Sequence, residues 1–181
     1  MKVQETSLTG VLLLSSTIYR DGRGAFQETW NQREMAEAGL PANWVQDNFS
    51  VSKKNVLRGI HYQAIQPQGK LVRVAYGAAL DVAVDLRRSS PSFGRHVAVE
   101  LTGESGQMMW IPEGFGHAFL ALTDTVEFAY KVTDYYSPAG ERTILWSDSD
   151  LAIPWPANAA HIIVSEKDSQ GAALSEAEVF P

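Results

Sequence analysis

The chain has 181 residues, a formal net charge of −6 at pH 7 and no cysteine. This length predicts one domain, residues 1–181, with a sizeable core. The composition excludes disulfides, a thiolate nucleophile and a cysteine-ligated metal site, and the acidic balance argues against nucleic-acid binding while leaving room for an anionic small ligand.

The first predicted strand is Gly10–Leu14, and an extended link leads from it to Tyr19. Its apolar run is too short for a signal peptide and follows Glu5. Further along, no stretch approaches the ~20 apolar residues that a membrane-spanning helix needs. These patterns predict a cytoplasmic protein with no membrane partner.

The only convincing helix is predicted at Asn31–Gly39, after a turn at Asp21–Gly24 and an extended segment, Ala25–Trp30. Asn31 can accept as N-cap, and Glu34 stands three residues later, as in a capping box. Gly39 suits the position after the helix end. Two turns of helix need docking to be stable.

Beyond Val45 the sequence predicts almost only strands, separated by turn residues. The predicted strands are Asn48–Ser52, Leu57–Gln63, Lys70–Tyr76, Ala79–Leu86, His96–Leu101, Gln107–Ile111, His117–Leu122, Val126–Thr133 and Arg142–Trp146. This pattern predicts an all-β fold, a jelly-roll barrel or sandwich. The tail from Ser147 is expected to wrap the barrel, with a short turn of helix near Ser175–Glu178.

Four polar side chains share a strand face with apolar neighbours, because residues two apart point the same way. They are Lys70, Tyr130, His117 and Asp81, and their neighbours include Val72, Val74, Phe128, Phe119 and Ala83. A barrel interior would lie on these faces. Since a buried charge is costly unless it is paired, these residues need each other or a ligand as partners.

His61 is the best candidate for a general base, since a free imidazole titrates near neutral pH. Arg58 is three residues away, so a regular strand would put the two on opposite faces. Gly59 between them could allow a bulge that re-aims one. The base needs an orienting carboxylate, for which the candidates are Asp81, Asp85 and Asp168.

The other candidates each have a structural alternative. Lys70 could form a Schiff base or stabilise an oxyanion, or it could be a surface lysine at a strand start. Tyr130 could be a general acid or an ordinary core tyrosine. His117 could be a hydrogen-bonded core histidine, and His96 and His161 are taken as structural.

Neither a metal nor a nucleotide cofactor is predicted. The chain has no His-x-His pair, no Walker loop and no Gly-x-Gly-x-x-Gly. Arg23, Arg58 and Lys70 could instead bind a diphosphate through their side chains. The candidate surfaces for stacking a base are Phe26, Tyr135 and Tyr136.

Several separated motifs follow one another along the chain. They are Asp21-x-Arg23-Gly24-x-Phe26, Gln46-Asp47-Asn48-x-Ser50, Leu57-Arg58-Gly59-Ile60-His61-Tyr62-Gln63, Gln68-Gly69-Lys70-Leu71-Val72-Arg73, Asp81-Val82-Ala83-Val84-Asp85, Pro112-Glu113-Gly114-Phe115 and Ser165-Glu166-Lys167-Asp168. As a set, over most of the chain, they resemble the dTDP-4-dehydrorhamnose 3,5-epimerase family, a cupin-type jelly roll.

The resemblance implies roles for particular residues. His61 resembles the family's base, oriented by Asp168, while Tyr130 resembles the acid on the opposite face and Lys70 the cation beside the sugar's C4 oxygen. Positions that resemble substrate-binding ones are Arg23, Phe26, Glu28, Gln46, Asp47, Asn48, Arg58, His117, Glu141 and Lys167. Tyr136 resembles the tyrosine that stacks on thymine.

The same resemblance implies a reaction. It is epimerisation at C3 and C5 of dTDP-4-dehydro-6-deoxy-D-glucose to dTDP-4-dehydro-L-rhamnose, with no metal or redox cofactor. It also implies a homodimer that exchanges N-terminal strands. Two alternatives are a single-centre epimerase on another dTDP-4-keto-6-deoxy sugar and a non-catalytic jelly roll that binds a nucleotide sugar.

Overall fold

A computed structural model describes residues 1–156 and 161–181 of the chain. The strands are β1 Lys2–Glu5, β2 Leu12–Ser15, β3 Ile18–Asp21, β4 Gly24–Gln27, β5 Gln46–Lys53, β6 Leu57–Gln63, β7 Lys70–Tyr76, β8 Ala78–Asp85, β9 His96–Thr102, β10 Gln107–Ile111, β11 Phe115–Ala121, β12 Thr125–Val132 and β13 Glu141–Thr143. The helices are α1 Gln32–Glu37 and α2 Glu166–Ser169. Neither helix has the length and apolar character needed to span a bilayer.

Two antiparallel sheets form a jelly-roll sandwich, which confirms the predicted fold class. One sheet has the strand order β1-β2-β10-β7-β12-β5 and the other β13-β6-β11-β8-β9. The hairpin β3–β4 forms a separate two-stranded sheet. From β5 onward each observed strand overlaps a predicted one. In β7 and β12 the alternating apolar residues are buried between the sheets, namely Val72, Val74, Val126 and Phe128.

Three apolar clusters hold the layers together. The first lies between the sheets and includes Val72, Phe119 and Phe128. In the second, the C-terminal tail covers the outer face of the five-stranded sheet. The third places Met35 of α1 against the six-stranded sheet. The tail thus covers the outer face of the five-stranded sheet, and α1 covers part of the six-stranded sheet, where Phe49 and Val51 of β5 are exposed.

Helix α1 begins as predicted. The Asn31 side chain accepts from the backbone N–H groups of Arg33 and Glu34, and Gly39 has φ +72° just past the helix end. The second half of the capping box is replaced, since the Glu34 carboxylate pairs instead with the N-terminal ammonium of Met1 at 3.0 Å. The helix start is thus tied to the start of the chain.

The tail differs from its prediction. The helical turn expected near Ser175–Glu178 is wrong: Leu174–Ala177 forms a simple turn, and the short helix α2 lies earlier. The tail pairs with the barrel through isolated bridges, such as Val56 with Ile163. Part of the predicted wrapping segment, residues 157–160, lies outside the described residues.

A bulge at Gly59 explains how Arg58 and His61, three residues apart, can lie on the same face of the sheet. His61 pairs with His117, and Arg58 pairs with Phe119. Two residues thus separate the pair on β6, whereas one separates their partners on β11. The extra residue brings Arg58 and His61 to the same face of the sheet, where both border one cavity.

Replacing Gly59 with alanine is expected to lower the free energy of unfolding by about 2–4 kcal/mol. Gly59 has φ +124°, and an added Cβ would lie 2.6 Å from the Ala118 Cβ. Gly22→Ala is the matched control, since no atom lies within 4 Å of its Cβ position. Urea unfolding of both variants measures the difference. Equal free energies of unfolding would contradict the claim that position 59 has no room for a side chain.

Candidate active site

A cavity of about 520 Å³ opens between the two sheets. Its walls come from strands of both sheets and from α2. The predicted site residues that border it are Asn48, Arg58, His61, Lys70, His117, Tyr130, Tyr136, Glu141, Lys167 and Asp168. The strand alternation inferred from the sequence explains why β6, β7, β11 and β12 each turn a polar side chain into the same space.

His61 and Asp168 form a close pair. The Asp168 carboxylate accepts from His61 Nε2 at 2.5 Å, and the aspartate is buried. Burial by itself would raise the pKa of Asp168, but the hydrogen bond from His61 and those from Ser165 and Gly59 bring it below the usual value. An ionised carboxylate only accepts, so the proton stays on Nε2 and Nδ1 is free to take another.

The bulge and the tail meet at this pair. The backbone N–H of Gly59, at the bulge, helps to lower the pKa of the Asp168 carboxyl. The Ser165 side chain accepts from the backbone N–H of Asp168 and caps α2. Of the three carboxylates considered from the sequence, Asp168 is therefore the one that orients His61. Asp85 instead pairs with Arg87 at 2.7 Å.

Lys70 is buried at the start of β7, which excludes the surface-lysine alternative. Its Nζ lies 3.4 Å from the backbone oxygen of His61. Burial lowers the pKa of Lys70 to about 8. At neutral pH the side chain is therefore mostly an ammonium, held in a water-poor site where it can stabilise a developing negative charge.

Tyr130 lies on the six-stranded sheet, opposite the sheet that carries His61. Burial raises its pKa, and the nearby Arg58 only partly offsets this. The phenol thus remains protonated at neutral pH and can donate. A ligand between the sheets would have an acceptor nitrogen on one side and a proton donor on the other.

His117 is the second histidine of the cavity. Its Nε2 donates to Asp81 Oδ1 at 2.7 Å, and Asp81 is fully buried behind it on β8. In the strand register His117 lies directly across from His61. It is a hydrogen-bonded histidine, as the structural alternative held, but it also borders the cavity.

The mouth of the cavity carries a small polar network. Tyr136 donates to Glu141 at 3.0 Å, and Lys167 pairs with Glu141 at 2.6 Å. The hydrogen bond to Glu141 raises the pKa of Tyr136. Gln46 accepts from the backbone N–H of Tyr136 and donates to Asn48. The network holds the exposed Tyr136 ring at the entrance.

Four predicted binding residues lie away from the cavity of their own chain. Arg23 and Phe26 are on the β3–β4 hairpin, where Arg23 is exposed and pairs with Asp21. Glu28 follows the hairpin and accepts from Asn31. Asp47 points to the other side of β5, because it alternates with Asn48, and there it pairs with Lys131.

Sequence reasoning missed two glutamines that border the cavity, Gln63 and Gln68. Gln63 donates to the backbone oxygen of Gln66 and accepts from the N–H of Ser137, which anchors the loop before Glu141. The sequence did contain an indication for Gln63. It lies two residues after His61 on the same strand, so both side chains are on one face.

In the part of the chain that the structure describes, no group of three or more histidine, cysteine, aspartate or glutamate side chains could hold a metal ion. Each cavity histidine already donates one ring nitrogen to an aspartate.

A jelly roll with a proton acceptor and a proton donor on facing sheets, and a buried ammonium beside them, has the construction of a carbohydrate epimerase. Comparison with known proteins specifies the family. The model of the dTDP-4-dehydrorhamnose 3,5-epimerase family matches residues 5–176, so the chain belongs to this family.

Similar proteins cover almost the whole chain. The dTDP-4-dehydrorhamnose 3,5-epimerase of Pseudomonas aeruginosa is 48% identical over 100% of both chains. The dTDP-6-deoxy-D-glucose-3,5-epimerase of Legionella pneumophila, solved with dTDP-4-keto-L-rhamnose, is 43% identical, with a TM-score of 0.95 over 98% of this chain and 94% of that one. A 3'-monoepimerase from Streptomyces bikiniensis, solved with dTDP-quinovose, is 35% identical, with a TM-score of 0.89 over 94% and 86%.

Proposed function

We propose that the chain converts dTDP-4-dehydro-6-deoxy-D-glucose into dTDP-4-dehydro-L-rhamnose by inverting C3 and C5, as a step in dTDP-L-rhamnose synthesis. Membership of the epimerase family supports this activity. The observation that carries the mechanism is the placement of His61 and Tyr130 on opposite walls of one cavity.

The chemistry follows from the ketone at C4 of the sugar. Protons at C3 and C5 are acidic because the ketone oxygen can take up the negative charge as an enolate. His61 removes such a proton, and the Lys70 ammonium stabilises the enolate oxygen, an effect worth about 3–4 kcal/mol for one well-placed donor. Tyr130 then delivers a proton to the other face and inverts the centre. His61 then releases its proton and Tyr130 regains one, with water as the carrier, and a second cycle inverts the other carbon.

The nucleotide would extend towards the cavity mouth. Arg58 and Lys167 supply positive charge for the diphosphate, and Tyr136 offers an exposed ring for the thymine. Arg23, Phe26 and Glu28 are proposed to complete the site from a second copy of the chain in a homodimer. The β3–β4 hairpin pairs only with itself among the described strands and exposes Tyr19 and Phe26, which supports this role.

Solvent deuterium distinguishes the candidate activities. Incubation of the protein with dTDP-4-dehydro-6-deoxy-D-glucose in D₂O is expected to place deuterium at both C3 and C5, read by NMR of the product. Label at one carbon alone would indicate a single-centre epimerase. Tight binding without any label would indicate a non-catalytic binding protein and overturn the proposal.

The Tyr130→Phe variant tests the proposed acid independently of the proposed base. Removing the phenol proton is expected to slow net epimerisation by about 10²–10³-fold. Wash-in of deuterium from the His61 face should continue, because the base is intact. The comparison is the ratio of exchange to turnover, measured on one sample by NMR. Tyr76→Phe, at the exposed end of β7 and outside the cavity, is the control. An unchanged ratio would remove Tyr130 from the proposed acid role.

The single-centre epimerase remains the second candidate function because of one observation. The 3'-monoepimerase from Streptomyces bikiniensis has the same fold at 35% identity, so this scaffold also accommodates inversion at one carbon. The D₂O experiment decides between the two activities.

A further inference from the structure

The Asp81 carboxylate has an unexplained feature. It is fully buried on β8, behind the cavity wall, and Oδ1 accepts from His117. The second oxygen, Oδ2, is also buried, and it has no hydrogen-bond partner among residues 1–156 and 161–181. An unpaired buried carboxylate oxygen is costly. A nearby positive charge would offset part of that cost.

Lys70 is the cation that needs a compensating charge. Its ammonium is buried, and it forms no ion pair within the described part of the chain. The charged and titratable groups around it are His61 and Arg58 on β6, Asp81 on β8, His117 on β11, Tyr130 on β12, Tyr136 and Glu141 at the mouth, and Lys167 and Asp168 on α2.

One pair of opposite charges among these groups is balanced locally, since Glu141 pairs with Lys167. Asp168 and Asp81 each accept a hydrogen bond from a histidine, His61 and His117 respectively. Glu141 and Lys167 consequently act on Lys70 in opposite directions. Asp81 and Lys70 are linked through the cavity wall. Lys70 Nζ lies 3.4 Å from the backbone oxygen of His61, His61 pairs with His117 across the sheet, and His117 donates to Asp81.

We propose that Asp81 is a positioning residue that keeps Lys70 cationic and fixes the orientation of the His117 ring beside the substrate. Burial lowers the pKa of Lys70, and Asp81 exerts the largest effect that opposes this lowering. The carboxylate accepts only, so it also holds the proton on His117 Nε2 and leaves Nδ1 as an acceptor. Its kinetic consequence rests on the proposed epimerase function, whereas its effect on Lys70 does not.

The first test is the titration of Lys70 itself. In protein labelled with ¹³Cε-lysine, the Lys70 signal is assigned by its loss in Lys70→Met. Asp81→Asn is isosteric and is expected to lower the pKa of Lys70 by about one or more, the usual effect of removing a nearby opposite charge. Asp124→Asn, on the exposed β11–β12 turn, removes the same charge and should leave the Lys70 titration unchanged.

Kinetics gives the second readout. The alkaline limb of the kcat profile should shift to lower pH in Asp81→Asn by the same amount as the NMR titration, and the shift should persist in a His117→Gln background. A wild-type chain without epimerase activity would refute the proposed function while leaving the NMR test in force. An unmoved Lys70 titration in a folded Asp81→Asn variant would overturn the role of Asp81.

Melting temperatures provide a third test, which applies even if Asp81→Asn is too unstable for the other two. If Asp81 offsets the buried ammonium, Asp81→Asn should lower the melting temperature less in a Lys70→Met background than in the native chain. An equal loss in the two backgrounds would contradict the pairing, because the effects of independent sites add.

Discussion

Replacing His61 with alanine is expected to abolish epimerisation and to remove solvent exchange at both C3 and C5. A positioned general base contributes about 10²–10⁴-fold to rate. His61 is the cavity histidine whose Nε2 is held by Asp168, with Nδ1 left to take a proton. The measurement is deuterium uptake into the dTDP-4-keto sugar over time.

A graded pair of variants tests this assignment. Asp168→Asn keeps the shape of the site but weakens the orientation of the ring, so its loss of kcat should be smaller than that of His61→Ala. His96→Ala, on β9 and outside the cavity, should retain wild-type turnover. Full activity in His61→Ala would remove the base on which the mechanism depends.

Lys70→Met is expected to lose about 10²–10³-fold in kcat, the effect of removing one oxyanion donor from a preorganised site. In the native chain, activity should fall as the pH rises through about 8, where Lys70 gives up its proton. Lys70→Met should lack this limb, because no ammonium remains to titrate. The pH profiles of the two proteins, measured side by side, provide the test.

Stability should change in the opposite direction from activity. The pKa of Lys70 falls from 10.5 to about 8 on folding, so below pH 8 the folded chain bears the full cost of a buried ammonium. Between pH 8 and 10.5 the folded chain releases the proton while the unfolded chain still holds it, and that cost shrinks. Lys70→Met should therefore melt at an equal or higher temperature than the native chain near pH 7, and the difference should narrow above pH 8. A variant that is both inactive and clearly less stable would indicate a structural lysine.

Much of the site prediction came from the two-residue alternation of side chains along β-strands. It placed Lys70, Tyr130 and His117 on apolar strand faces, and all three border the cavity. This works because strand alternation is set by local backbone geometry. Local rules could not choose the aspartate for His61, because Asp81, Asp85 and Asp168 differ in long-range packing alone. Only the family resemblance pointed to Asp168.

Other features lacked any local signal. Strand β1 is exposed along its whole length and pairs at the sheet edge, so it shows no apolar alternation to read. Helix α2 has four residues, too few for a helical period. Arg23 and Phe26 were predicted as binding residues from their chemistry and from the resemblance, and Glu28 from the resemblance alone. None of the three borders the cavity of its own chain, and no local pattern in the sequence indicates this.

The pairing of His61 with Asp168 spans 107 positions along the sequence. Every strand of both sheets lies before residue 144, whereas Asp168 belongs to the tail that covers the five-stranded sheet. In a cell, a copy that ended or was cut before Asp168 would lack the carboxylate that holds His61. Turnover would therefore report on the integrity of the C-terminal stretch as well as on that of the two sheets.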